Sequence, residues 1–145
     1  MIGTFEHNVD QKNRIIIPAK FRENLGDAFY LTIGYDRCIR AYSEDEFNRY
    51  KRNIDEAPEE DSKVRELRRF LYAFTEKCEL DKQGRVVIPA RLKMYAKIDS
   101  EVVIVGQSLY AEIWAKENWT IDFDFENGDP NEILSAIAKY KNPTV

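Results

Sequence analysis

The chain has 145 residues, of which 43% are hydrophobic and 12% aromatic, and it carries a formal net charge of −4 at pH 7. This hydrophobic content is sufficient for a packed core, which excludes a wholly disordered chain, and no apolar run is long enough to predict a membrane-spanning helix. Residues 1–7 lack the basic and apolar regions of a signal peptide, so we expect a cytosolic protein.

The predicted elements fall into two repeats that begin alike. Each repeat begins with a short strand, which ends at Val9 in the first repeat and at Leu80 in the second. A tight turn follows, and then a β-branched strand at 15–17 or 86–88. The chain therefore repeats one strand–turn–strand unit.

A short helix is predicted after this unit in each repeat. Pro18 and Pro89 can occupy its first turn, because a missing N–H costs nothing there. In the first repeat Phe21 and Leu25 would face the core, and Gly26 can end the helix in a left-handed conformation. Two more strands follow in each repeat, at 29–33 and 39–42 in the first and at 102–105 and 109–114 in the second.

Each repeat closes with the start of a helix, and Ser43 has the sequence context of a capping box. The acidic segment 53–60 is the predicted linker, and apolar residues at helical spacing predict an amphipathic helix over 61–74. A turn at 127–130 precedes a predicted short helix at 131–141. The predicted division is 5–47 for repeat one, 48–75 for the linker and connecting helix, 76–119 for repeat two, and 120–145 for a C-terminal helical tail.

Basic charge is concentrated at the same place in both repeats. Residues 11–22 contain four lysines and arginines and no acid, and residues 82–93 do the same. The rest of the chain has 14 basic and 26 acidic residues. This pattern predicts two equivalent surfaces for a polyanion on an otherwise acidic protein.

The turn in each repeat has an aspartate followed four residues later by an arginine. A three-residue loop of this kind commonly places its last residue at positive φ. That residue is Asn13 in one copy and Gly84 in the other, and these two types tolerate positive φ best. The aspartate can accept backbone N–H bonds and hold the guanidinium in one orientation. The two pairs are Asp10 with Arg14 and Asp81 with Arg85.

Arginine on a β-ribbon can bind guanine or phosphate through two N–H groups, glutamine amides can pair with base edges, and lysines can contact phosphates. The candidate DNA-contacting residues are Gln11, Lys12, Arg14, Lys20, Arg22, Lys82, Gln83, Arg85, Arg91 and Lys93, and the residues predicted to orient them are Asp10, Asn13, Asp81 and Gly84. Two alternatives stay open: the Asp–Arg pairs could act only as turn clamps, and the helix cations could be solvated.

With these motifs the chain resembles the MraZ family of bacterial transcriptional regulators, which have two tandem SpoVT-AbrB-like units. The marker is the Asp-x-x-x-Arg motif, present here twice, and residues 17–22, 31–34 and 79–89 support the resemblance. The usual first motif has glycine where this chain has Asn13, which the turn argument permits.

The resemblance implies an α+β, mainly β fold, in which two tandem repeats form a swapped-hairpin AbrB-like β-barrel within one chain, with flanking helices. It also implies a ring-like homo-oligomer that binds double-stranded DNA at short direct repeats upstream of the division and cell wall gene cluster. The expected location is the cytoplasm, in association with the nucleoid, and no cofactor is expected.

Two other functions remain as alternatives. An antitoxin-like or sequestering module with an AbrB-like barrel would use the acidic surface to bind a basic protein. An enzyme is not expected, because His7 has no nucleophile tied to it and the chain has no glycine-rich phosphate loop.

Cys38 and Cys78 are predicted to be reduced thiols, and with one histidine they are too few for a zinc site. The aromatic residues Tyr42, Phe47, Trp114 and Trp119 are predicted to pack in the core or a subunit interface rather than against bases.

Overall fold

Strands of the two repeats are interleaved in the fold. A computed structural model of the chain describes residues 1–120 and 124–140. The strands are β1 (Thr4–Asn8), β2 (Arg14–Ile16), β3 (Ala28–Ile33), β4 (Ile39–Ser43), β5 (Glu76–Glu79), β6 (Arg85–Val87), β7 (Glu101–Gly106) and β8 (Ala111–Ala115). The helices are α1 (Ala19–Leu25), α2 (Glu44–Asp55), α3 (Ser62–Phe74), α4 (Ala90–Tyr95) and α5 (Pro130–Leu134), with 3₁₀ segments at Tyr35–Arg37, Lys116–Asn118 and Ser135–Tyr140.

The strands form two antiparallel sheets. One has six strands in the order β1-β7-β8-β4-β3-β5, and the other is a two-stranded ribbon of β2 and β6. The first strand of each repeat thus pairs with the third strand of the other repeat, and the second strands pair with each other. The α+β, mainly antiparallel class is confirmed. The six-stranded sheet ends at β1 and β5, so the described residues do not form a closed barrel.

The core forms where the ribbon and the short helices cover the sheet. Strand side chains alternate between faces, so one face of the three-residue strand β2 is buried and the other is exposed. Phe21 and Leu25 of α1 are buried, as their spacing predicts, and the Phe21 ring meets Phe5 of β1 edge-on at a centroid distance of 5.3 Å. Burial of such aromatic and aliphatic side chains at about 25 cal/mol per Å² is what holds α1 to the sheet.

The ends of α1 differ slightly from the prediction. Pro18 lies one residue before the helix, with an extended ψ of 138°, and its carbonyl accepts the N–H groups of Phe21 and Arg22. Gly26 ends the helix at φ 79°, and its N–H donates to the Arg22 carbonyl. Its ψ of −177° is extended, so the positive φ is confirmed but a fully left-handed cap is not.

The predicted linker at 53–60 begins too early. Helix α2 continues to Asp55, because Ile54 is buried and Asp55 accepts a 2.5 Å hydrogen bond from the Tyr72 hydroxyl of α3. The start of α2 agrees with the capping pattern, since Ser43 Oγ accepts the N–H of Glu46 at 3.2 Å. The connection between α2 and α3 is therefore short.

The second half departs from the predictions in three places. Strand β8 begins at Ala111 rather than 109, because Ser108 has a positive φ of 67° and the preceding residues form a turn. The repeat closes with a 3₁₀ segment instead of an α-helix. The predicted helix at 131–141 is split into α5 and a 3₁₀ segment, and residue 141 lies outside the described residues.

Candidate nucleic-acid interface

Each Asp–Arg turn is organised by its aspartate. Asp10 Oδ1 accepts the backbone N–H groups of Lys12 and Arg14, both at 2.9 Å, and Oδ2 accepts Arg14 Nε at 2.7 Å. In the second repeat Asp81 Oδ1 accepts the N–H groups of Gln83 at 2.9 Å and Arg85 at 2.8 Å, and Oδ2 accepts Arg85 Nε at 2.7 Å. The same three bonds in both repeats place both guanidinium groups in the same local orientation.

The residue before each arginine has the backbone conformation that the turn requires. Asn13 has φ 60° and Gly84 has φ 76°. Their N–H groups donate to the carbonyls of Asp10 and Asp81, both at 3.0 Å. The positive φ predicted from the two residue types is therefore confirmed.

The aspartates are held in their charged form. The pKa of Asp10 lies below its ordinary value, mainly because its carboxylate accepts the backbone N–H of Arg14. The guanidinium of Arg14 makes a further contribution. The pKa of Asp81 is lowered in the same way by Arg85. Both pairs thus stay ionised at neutral pH and would lose their carboxylate charge only in acid below the ordinary aspartate pKa.

The turns differ from ordinary hairpins in how their strands continue. One backbone bond joins the two sides of the first turn, from the Asp10 N–H to the Arg14 carbonyl at 3.0 Å. Beyond it the strands separate, since β1 pairs with β7 and β2 pairs with β6. Each turn is therefore a corner between two sheets, and the second strand of each repeat is free to pair across the repeats.

This pairing places both arginines on one surface. In the ribbon Arg14 lies opposite Val87, and Arg85 lies opposite Ile16. Since side chains alternate, these four residues share the outer face, while the central pair is buried beneath them. The Arg14 and Arg85 side chains are 25% and 26% exposed and are diagonal neighbours, roughly 7–8 Å apart between Cα atoms.

Each turn also docks on the other repeat. The Ile17 N–H donates to the Gly84 carbonyl at 2.9 Å, and the Ile88 N–H donates to the Asn13 carbonyl at 2.8 Å. Because β2 and β6 are antiparallel, the two turns lie at opposite ends of the ribbon, with the arginines between them. The candidate interface is thus a continuous surface of turn, ribbon and turn.

Arg22 and Lys93 occupy equivalent places and support the opposite turn. Arg22 Nε donates to the Ile17 carbonyl at 2.8 Å, and its guanidinium covers Gly84 so closely that a Cβ added there would collide with it. Lys93 Nζ donates to Asn13 Oδ1 at 2.7 Å. These two residues were predicted from their helix positions, and the structure brings both to the turns of the other repeat.

The remaining candidates divide into two groups. Gln11, Lys12, Lys82 and Gln83 are exposed on the turns, and Gln83 Oε1 accepts a hydrogen bond from Arg85 Nη2. Lys20 and Arg91 lie on helices α1 and α4 rather than on the turns.

Arg91 is held apart from the ribbon candidates. Its guanidinium stacks on the Phe74 ring at 4.2 Å and donates to the Ala73 carbonyl at 3.3 Å. It thus packs against the C-terminal end of α3 rather than against the turns.

Two residues of the surface were missed by sequence reasoning. Ile16 and Val87 are 43% and 54% exposed and lie between the arginines. They looked like core residues because each belongs to an unbroken apolar run. A period-two pattern cannot be recognised in a three-residue strand without polar neighbours, so no sequence signal marks them as outward-facing.

The predicted aromatic residues are engaged in packing. Tyr42 and Phe47 are buried, and their rings meet at a centroid distance of 6.0 Å. Trp114 and Trp119 are partly buried and contact each other at 5.6 Å. Within residues 1–120 and 124–140 there is no cluster of three metal-ligating side chains, and no described helix is long and apolar enough to cross a membrane.

Comparison with known proteins identifies the family. The MraZ family, described as "MraZ protein, putative antitoxin-like", matches residues 1–70 and again residues 71–127. A protein of Lactiplantibacillus plantarum is 49% identical over 117 residues, which cover 81% of this chain and 83% of the relative. A protein of Acetivibrio thermocellus is 41% identical over 137 residues, which cover 94% and 93%, and one of Desulforamulus reducens is 43% identical over 118 residues, which cover 81% and 83%. All three are named "Transcriptional regulator MraZ". The chain belongs to the MraZ family.

Proposed function

We propose that this protein is a transcriptional regulator that binds double-stranded DNA through the outer face of the β2–β6 ribbon and the two turns beside it. The observation that carries the proposal is the pair of guanidinium groups, each oriented by its own aspartate and both on one exposed surface. The names of the relatives support a regulator, and none of the three denotes an enzyme.

The charges at the surface suit a nucleic acid in spite of the acidic chain. Four further cations lie near the two arginines. Lys12 and Lys82 are on the turns themselves, and Arg22 and Lys93 each contact the turn of the other repeat. Phosphate contacts give affinity without sequence information, whereas a forked arginine can bind either a base edge or a phosphate. Asp10 and Asp81 orient the arginines, and Lys20 and Arg91 add positive charge from the helices.

Assembly and target belong to the same proposal. We expect a ring-like homo-oligomer, in which weak contacts of single subunits add through effective concentration. Leu67, Phe70 and Met94 are 43%, 44% and 78% exposed on α3 and α4, and exposed apolar side chains of this size favour self-association. The family resemblance supports a swapped-hairpin barrel built from repeats 5–47 and 76–119, and direct repeats upstream of the division and cell wall genes as the target. It also supports a cytoplasmic, nucleoid-associated location.

A gel-shift experiment tests the proposal. A promoter fragment that carries direct repeats is expected to be retarded at moderate salt, and a scrambled fragment of equal length is expected to be retarded much less. The second candidate function is binding of a basic protein partner, which the antitoxin-like family description favours. Failure to retard either fragment would reject the DNA-binding proposal in favour of that partner.

Replacing Lys12 with alanine should weaken binding to all DNA sequences by a similar factor. The side chain is exposed at the tip of the first turn, where it can neutralise one phosphate. The slope of log K against log salt is then expected to fall by about one unit. Anisotropy titrations over a range of salt measure it, with Lys63→Ala on α3 as a control of equal charge change. An unchanged slope would remove Lys12 from the interface.

A further inference from the structure

The two Asp–Arg turns share a backbone but differ in what surrounds their arginines. We propose that the two turns perform different tasks on DNA: the first reads base edges through Arg14, and the second anchors the DNA backbone through Arg85. This inference rests on the proposed function. It assigns the difference to the side chain at the third position of each turn, Lys12 in one and Gln83 in the other.

The two arginines differ in how many side chains hold them. Arg85 is bound by Asp81 through Nε and by Gln83 through Nη2. At the first turn the position of Gln83 is taken by Lys12, which is a cation and has no acceptor for a guanidinium. Among the residues that the structure describes, Asp10 is the one side chain that binds Arg14, and it does so through Nε. Both terminal nitrogens of Arg14 are therefore available for a base.

The glutamines of the two turns also differ in whether their amides are free. Gln83 uses one lone pair of its carbonyl oxygen to accept Arg85, so its amide is held by the arginine and is not free to turn toward adenine. Gln11 of the first turn is exposed, and within the described part of the chain its amide forms no hydrogen bond. The first turn thus presents a free arginine fork and a free amide, which are the groups that distinguish bases.

The residue at positive φ adds a third difference. Gly84 is buried under the guanidinium of Arg22, so the second turn carries a second arginine and no side chain at that position. Asn13 is exposed and receives Lys93, so the first turn adds an amide to its surface. Each turn thus receives one cation from the other repeat, and the amide of Asn13 is the hydrogen-bonding group that the first turn has and the second lacks, which suits base reading.

A direction on DNA results from this division. The turns lie at opposite ends of the ribbon, so a subunit presents its reading group at one end and its anchoring group at the other. Two equivalent turns would instead favour a site with two similar halves. One subunit is therefore expected to prefer an asymmetric sequence.

The test compares two duplexes, one enriched from random-sequence DNA by the wild-type protein and one scrambled. Arg14→Ala is expected to reduce the ratio of the two affinities roughly 10- to 100-fold. Arg85→Ala is expected to weaken both duplexes by the same factor, leave the ratio close to that of the wild type and lower the salt slope by about one. Should Arg14→Ala fail to fold, Arg14→Lys keeps the charge without the fork. It is expected to reduce only the ratio of the two affinities.

A charge-neutral exchange identifies the cause. Lys12→Gln together with Gln83→Lys should transfer the reading role, so that in this background Arg85→Ala reduces the ratio and Arg14→Ala does not. The proposal is overturned if both arginines contribute equally to the ratio in the wild type, or if the exchange leaves the role with Arg14. If the wild-type protein enriches no sequence from random DNA, the proposed function itself is rejected, and the division of tasks with it.

Discussion

Replacing both Arg14 and Arg85 with alanine is expected to abolish binding to promoter DNA at about 0.15 M salt. Each forked contact to a base or phosphate contributes about 1–3 kcal/mol, so the loss of two independent contacts amounts to about 2–6 kcal/mol. The substitution also removes the guanidinium partners of Asp10 and Asp81 on the same surface, where the uncompensated carboxylate charge repels phosphate. Anisotropy titration with a labelled promoter duplex measures the effect.

The double variant is expected to keep its fold and assembly. Both side chains are a quarter exposed, and an ion pair in contact with solvent contributes little to stability. Denaturant unfolding and sedimentation velocity should therefore agree with the wild type.

Arg49→Ala with Arg52→Ala removes the same charge from the exposed side of α2 and serves as the matched control. If this control variant loses as much DNA affinity, net charge rather than the ribbon surface determines binding. Normal binding by the Arg14 and Arg85 variant would show that the site lies elsewhere.

The Asp–Arg turns were predictable because they are local. The spacing of Asp10 and Arg14 lets one carboxylate reach both the backbone and the guanidinium, and the residue types at 13 and 84 indicate positive φ. Strand positions, to within one or two residues, and α3 were predictable from short-range patterns in the same way. The surroundings of the turns could not be predicted, because the residues involved are about 70 positions apart in the chain.

Arg22 illustrates this limit. Its position on α1 predicts a phosphate contact, and nothing in the sequence near it indicates that its guanidinium covers Gly84. The strand exchange that brings them together depends on pairing of β2 with β6, which is a tertiary interaction between distant parts of the chain. The same exchange explains why glycine suits position 84, where a Cβ would displace the guanidinium of Arg22, while asparagine is accepted at 13, where the opposing residue is Lys93.

The exchange also explains how one small ribbon can serve as a rigid platform. Three-residue strands give few hydrogen bonds, so an isolated ribbon of this length would not be stable in water. It is held because each turn docks on the strand of the other repeat and because Ile15 and Val86 are buried beneath it, each 1% exposed. Positioning of the arginines therefore depends on the core under them.

Ile15→Ala and Ile16→Ala are expected to change stability by very different amounts although the two residues are neighbours. Ile15 points into the core and is 1% exposed, so its truncation leaves a cavity and should lower the free energy of unfolding by about 2–5 kcal/mol. Ile16 is 43% exposed on the outer face, so its truncation should change stability by less than about 1 kcal/mol. Denaturant unfolding of the two variants measures both values.

DNA binding is expected to separate from stability in this pair. Below its unfolding transition Ile15→Ala should bind DNA more weakly, because the strand that carries Arg14 loses its support. Ile16→Ala stays folded, and any loss of affinity it shows reports a direct apolar contact, such as one with a thymine methyl group. Equal destabilisation by the two substitutions would mean that β2 does not alternate between core and surface. The arrangement that puts both arginines on one face would then be wrong, since it depends on that alternation.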